Sequence, residues 1–451
     1  MRMENQGVDL SKGSVGKLLF SLSLPSILAQ VINVLYNMVD RMYIGHIEGV
    51  GVDALAGVGV TMPMIMAISA FAALVCMGAA PKAAIYLGKQ DKTSAEHVMS
   101  NCFSLLIGLS LVLTIIYFLF GEKMLMMFGA NQETLSYALD YMNIYALGTI
   151  FVQISLGMNA FINTQGYAKM GMATVLIGAI LNIILDPILI FGFSLGVKGA
   201  ALATILSQAV SAIYVLWFLF SKRSYLHIQK KYLKIDLKII LPCLALGMAP
   251  FVMQITESVI SVCFNASLLQ YGGKIAVSAM AILTSVMQIG LLPLQGLTQG
   301  SQPIVSYNYG AGNLDRIRQT FKILLISSLI YSTFIWGVSV FMPQLFTSIF
   351  TSDPDLLKYA NQALRVYMGS ACMFGAQIAC QQTFIALGNA KISLFLAVLR
   401  KIILLIPLIY TLPHFIANQA FAVFLAEPIA DFIAVTVTCM TFYHYAKKVL
   451  Q

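Results

Sequence analysis

Apolar stretches of about 20 residues and longer follow one another along nearly the whole chain, separated by short polar intervals. At 1.5 Å rise per residue, such a stretch matches the roughly 30 Å apolar thickness of a bilayer. The pattern predicts twelve spans, near 15–45, 53–80, 96–120, 134–164, 169–194, 197–221, 238–270, 275–305, 316–344, 356–387, 392–415 and 417–446. The connections are short apart from 222–237, which divides the chain into units 1–221 and 238–451. The expected fold is an all-α polytopic membrane protein.

Composition agrees. Apolar residues make up 59% of the 451 and charged residues 10%, against roughly a quarter charged in soluble proteins. That excludes a string of soluble domains. Residues 1–13 are short and polar and contain Lys12, and no small-residue cleavage site follows, so an uncleaved first helix is expected. The seven cysteines form no CxxC pair and the five histidines show no ligand spacing, so neither a metal centre nor a cofactor is expected. The net charge of +9 is a matter of topology. Even-numbered connections and their edges hold fourteen Lys/Arg, six of them Lys222, Arg223, Lys230, Lys231, Lys234 and Lys238; odd-numbered ones hold four. Cationic loops stay inside, so both termini and 222–237 are expected in the cytoplasm of a cell-membrane protein, with lipid as partner and no nucleic acid.

The two units repeat at an offset of 222 residues: Pro81 and Gly88 with Pro303 and Gly310; Tyr145, Gly166, Ala168 and Lys169 with Tyr367, Gly388, Ala390 and Lys391. Six helices per copy bring both copies in from the same side, so the pseudo-two-fold axis relating the two six-helix lobes should run along the membrane normal. Such bundles favour alternating access around a midplane site.

The polar positions do not follow that repeat. Asp186 sits in an apolar span with Asn182 one turn before it and Pro187 directly after, which frees the carbonyl of Ile183. A carboxylate there is costly unless it faces a partner or a wet cavity, so its default reading is functional. The offset carries Asn182 and Asp186 onto Leu404 and Leu408, both apolar. The first span sets Asn33, Tyr36, Asn37 and Asp40 on one face, with Pro25 able to bend the helix. Asp40 precedes Arg41, so an interfacial ion pair competes with a buried functional carboxylate. Thr204, on a small-residue face, could complete a polar pocket or cap its own backbone. Gln254, Glu257, Ser258, Ser261 and Asn265 form a stripe in the seventh span; Gln288, Gln295 and Gln299 lie in the eighth, Gln377 and Gln381 in the tenth. One such Gln is interhelical glue, but the whole set reads as the wall of a wet cavity. Met62, Met66, Met280 and Met287 suit an adaptable surface for varied ligands, or ordinary packing. Glu427 and Asp431 either pair with Arg400 or Lys401 or gate a pathway. Two close carboxylates can share one proton or both ionise around Na⁺, so the coupling ion stays open between H⁺ and Na⁺.

Several motifs carry a family resemblance. They are Leu24-Pro25 with Leu35-Tyr36-Asn37-Met38-Val39-Asp40-Arg41-Met42-Tyr43-Ile44-Gly45, Pro81 to Gly88, Asn163-Thr164-Gln165-Gly166 with Ala168-Lys169, Asn182 to Gly192, and Gly196 to Thr204. On these the chain resembles the multidrug and toxic compound extrusion (MATE) family over its full length. The resemblance implies a V of two bundles around a central cleft, with organic, often cationic, small molecules exported in exchange for H⁺ or Na⁺. It puts an ion-coupling site on Asp40, Asn182, Asp186 and Thr204, a bend of the first helix at Pro25 and a second-lobe glutamate at Glu257. The acidic partner that some relatives carry in span ten is missing, with Ala376 near its position. A monomeric antiporter, not an enzyme, is expected. The alternative is a lipid-linked precursor flippase, which would need basic cavity residues for pyrophosphate; Arg365 is the arginine best placed for that.

Overall fold

In the computed structural model of this chain, residues 8–449 are described, and no strand occurs among them. The expected cytoplasmic termini involve residues 1–7 and 450–451, which lie outside the described residues. The first half holds α1 (Val15–Gly45), α2 (Gly51–Gly88), α3 (Lys92–Met127), α4 (Leu135–Leu147), α5 (Thr149–Thr164), α6 (Ala168–Pro187) and α7 (Val197–Phe220). The second holds α8 (Leu237–Gly310), α9 (Leu314–Phe341), α10 (Gln344–Thr347), α11 (Pro354–Tyr367), α12 (Phe374–Ala386), α13 (Ala390–Val398), α14 (Ile406–Thr411) and α15 (Gln419–Val449). Among the described residues nine helices are long and apolar enough to cross a bilayer, and α4 with α5, bent by 58° at their junction, are together long and apolar enough for a tenth. This is a multi-pass membrane protein.

Helix α8, at 74 residues, is too long for one crossing, and Gly273 at φ 67°, ψ −164° breaks it. Only glycine takes up that backbone shape readily. Breaks also fall inside two expected single helices. The 134–164 stretch bends at Gly148, where a Cβ would lie 2.3 Å from the Ile205 side chain. The 356–387 stretch loses its helix between Tyr367 and Phe374. At Pro187 the helix continues and widens into a π turn, Ile188–Gly192, in which the Phe193 N–H reaches the Ile188 carbonyl at 2.9 Å. The wider turn absorbs the bond that proline cannot make. Helix α1, by contrast, runs unbroken through a buried Pro25.

The 222-residue repeat extends to local geometry. Asp91 caps α3 by accepting from Ser94 N–H, and Asn313 caps α9 by accepting from Arg316 N–H. Those bonds from Ser94 hold the Asp91 carboxyl below its ordinary range. Left-handed residues recur as Gln90 with Gly312 and Gly166 with Gly388.

Each half has apolar cores of its own. One gathers Val75, Leu106, Phe161 and Phe218, another Phe264, Leu283, Tyr367 and Phe424. Between them α8 packs along α1 and α2. The crossings are backbone against backbone. A Cβ on Gly88 would lie 1.9 Å from the Tyr307 carbonyl oxygen, and one on Gly310 would lie 2.0 Å from that of Ile85. Both residues and both carbonyls are related by the same offset, so this crossing is its own image. Gly78 meets Gly247 equally closely, and its repeat mate Gly300 meets Ser23.

Candidate functional site

Between these crossings and the first-half bundle lies a cavity of about 350 Å³. It is lined from α1, α2, α5, α6, α7 and α8. Nine amide side chains reach it; of these, Gln30, Asn159, Gln208 and Gln302 belong to none of the stripes or motifs read from the sequence. Among the described residues no Asp, Glu, Lys, Arg or His lines it. Of the residues in the polar stripes, Asn33, Tyr36, Gln254 and Gln299 stand on its wall, together with Asn182 and Thr204 of the expected ion-coupling set.

The acidic site opens off this wall. Asp186 is fully buried and Asp40 is 7% exposed. Helix periodicity puts Asn182 one turn below Asp186, and its amide donates to Asp186 Oδ1 at 3.2 Å and to Thr204 Oγ1 on α7 at 3.4 Å. Asp40 and Asp186 lie close enough for each side chain to feel the other. Asp40 Oδ1, Asn182 Oδ1 and Asp186 Oδ2 are buried acceptors with no donor among the described residues. Arg41, the neighbour of Asp40, turns its guanidinium to Met62 Sδ at 3.3 Å, and no ion pair forms at either aspartate among the described residues. Three orphaned acceptors on residues of one buried site suit a proton or a small cation. Tyr141, unflagged in the sequence, reaches Thr204 and lies against Asp40. Its stacking on Tyr145 one turn away is the signal that could have found it.

Other expected wall residues sit elsewhere. Asn37 is exposed and donates its amide to the Asn33 carbonyl at 2.6 Å. Met66, Ser261 and Gln288 are exposed, Met280 is buried in the second-half core, and Met287 borders a small separate pocket with Tyr367 and Asp431. Gln377 and Gln381 are buried and bond to each other at 3.3 Å, with Gln381 also reaching Met253 Sδ. Glu257 is bound by Lys401, whose ammonium donates to Oε1 and Oε2 at 3.1 and 3.0 Å. Arg400 donates to both Asp431 and Glu427 and stacks on Phe374. Arg400 and Lys401 occupy the π-helical stretch Leu399–Leu405. Arg365, which the sequence favoured as the intramembrane cation, is exposed near the end of α11; the buried cations are Arg400 and Lys401.

The MatE family model matches residues 25–188 and 250–411, which is most of both halves. The chain belongs to the MatE family. It is 25% identical over 425 residues to the multidrug export protein MepA of Staphylococcus haemolyticus strain JCSC1435, covering 94% of this chain and 93% of that protein. It is 26% identical over 400 residues to MepA of Staphylococcus aureus strain MSSA476, covering 88% and 87%. Among solved structures, an outward-facing multidrug resistance MATE family transporter of the MOP superfamily superposes with a TM-score of 0.92 at 22% identity, over 100% of both chains. A MATE structure in the bent conformation gives 0.90 at 23% identity over 98% of each. The fold of this MatE protein is therefore the MATE fold.

Proposed function

We propose that this protein is a secondary multidrug efflux antiporter that exports organic, chiefly cationic, small molecules in exchange for H⁺ or Na⁺. The observation that carries the reading is the set of orphaned acceptors of Asp40, Asn182 and Asp186 beside an uncharged, amide-lined cavity. The names of the relatives, multidrug export proteins, support it. Twelve spans form two six-helix lobes, residues 1–221 and 238–451, joined by the cytoplasmic linker 222–237, and the monomer alternates between cleft orientations. Asp40, Asn182, Asp186 and Thr204 bind the coupling ion. Coupling follows when ion and substrate prefer different orientations, since each then shifts the equilibrium the other sees. The flippase alternative is disfavoured because no basic side chain lines the cavity to hold a pyrophosphate.

The test is uptake of a fluorescent cation into proteoliposomes under a pH gradient or a Na⁺ gradient, imposed separately. Asp40→Asn and Asp186→Asn should each abolish gradient-driven transport while leaving folded, inserted protein. As members of one unit, the two together should be no worse than either alone. Near-wild-type coupled transport by Asp186→Asn defeats the assignment.

A further inference from the structure

The halves repeat their backbone but not their charges. The first-half acceptors have no cationic side chain bonded to them among the described residues, so a cation must come from outside. In the second half the cation is already there. Arg400 is committed to Glu427 and Asp431. That leaves Lys401 for Glu257, and its ammonium bonds both carboxylate oxygens. Lys401 is only 5% exposed while Glu257 is 55% exposed, so the ammonium approaches from the protein interior and the carboxylate faces outward. Glu257 lies three residues after Gln254, which lines the cavity, so the two are neighbours on the surface of α8. An ammonium so enclosed bonds no other carboxylate among the described residues, and abandoning Glu257 would leave it buried without its hydrogen-bonded partner.

We propose that Lys401 is a specificity-determining residue, an internal counter-cation that occupies the cation position on Glu257. The second-half wall then takes up no monovalent cation while that ammonium is in place, and substrate cations are held by the amide cavity and the first half. Removing the ammonium unmasks Glu257 as a site for a monovalent organic cation. This rests on the efflux reading only in treating that face of α8 as part of the substrate path.

The experiment is equilibrium binding of tetraphenylphosphonium to the purified full-length protein in nanodiscs. Lys401→Met should bind the cation at least tenfold tighter than wild type, and Lys401→Arg should match wild type. Glu257→Gln should change affinity less than threefold with Lys401 present, yet cancel the gain in the Lys401→Met background. Where Lys401→Met does not give monodisperse protein, Lys401→Gln replaces it with the same expectations. Unchanged or weaker binding by the charge-removing variant, Lys401→Met or Lys401→Gln, overturns the proposal, as does a tenfold loss from Glu257→Gln alone. Wild-type protein that neither binds nor exports the cation defeats the efflux reading, whereas a Glu257-dependent gain in Lys401→Met still upholds the masking.

Discussion

Arg400 offers a sharp energetic test of the second half. Its guanidinium bonds Asp431 and Glu427, the latter at 3.2 Å, and its face lies 4.5 Å from the Phe374 ring centre. Both carboxylates are almost fully buried. Arg400→Met removes the guanidinium that bonds them both and leaves two buried carboxylates without their hydrogen-bonded cation. Breaking a buried pair from one side costs about 3–5 kcal/mol. The lost contact with the ring adds about 1 kcal/mol. Roughly 4–6 kcal/mol is therefore expected from Arg400→Met, a large share of the stability of any single fold. Replacing the whole set, as Arg400→Met with Glu427→Met and Asp431→Leu, removes the charges together. Apolar replacement of a buried ion set is close to neutral, so this triple variant should fall within about 2 kcal/mol of wild type. Reversible unfolding by SDS titration in mixed micelles measures both. A single variant within 1 kcal/mol of wild type, or a triple variant as unstable as the single one, refutes this account of the cluster.

Two further outcomes can be checked. A cysteine placed at Lys234, in the basic 222–237 linker, should react with an impermeant maleimide only from the cytoplasmic side; labelling from outside inverts the assigned topology. At the α2–α8 crossing, Gly88→Leu cannot keep the present contact, because even its Cβ would lie 1.9 Å from the Tyr307 carbonyl oxygen. That variant should hold this end of the two helices apart, read as a longer spin-label distance between α2 and α8, and transport at under a tenth of the wild-type rate; an unchanged distance would show that the side chain is absorbed without separating the helices.

The membrane class, the ends of α1 and the repeat were legible because each is written in local composition or in a fixed offset. Val15–Gly45 coincides with the expected 15–45 span. The Asn182–Asp186 contact was legible too, since one helical turn joins the pair. The breaks at Gly148 and beyond Tyr367 were not, as neither carries a proline within an otherwise apolar run. The pairing of Glu257 with Lys401 was hidden for another reason. The partners are 144 positions apart, and each sits in a stripe that suits several neighbours. Gln30, Asn159 and Gln208 were not legible as cavity residues because a single amide in a span signals helix packing as readily as a cavity wall. Only assembly shows that they converge.

The self-imaging crossing of Gly88 and Gly310 bears on how two copies of one ancestral segment can drift apart. Each backbone fills the space that a side chain on its mate would need, so a change in either copy is felt at once by both. A duplicated segment is thereby held to its original residue wherever the copies touch at equivalent positions. The charged groups lie away from that contact, Asp40 and Asp186 in one copy and Glu257, Arg400, Lys401, Glu427 and Asp431 in the other. Nothing couples an off-axis residue to its counterpart. One copy could keep open acceptors while the other acquired its own cations, with the shared frame unchanged.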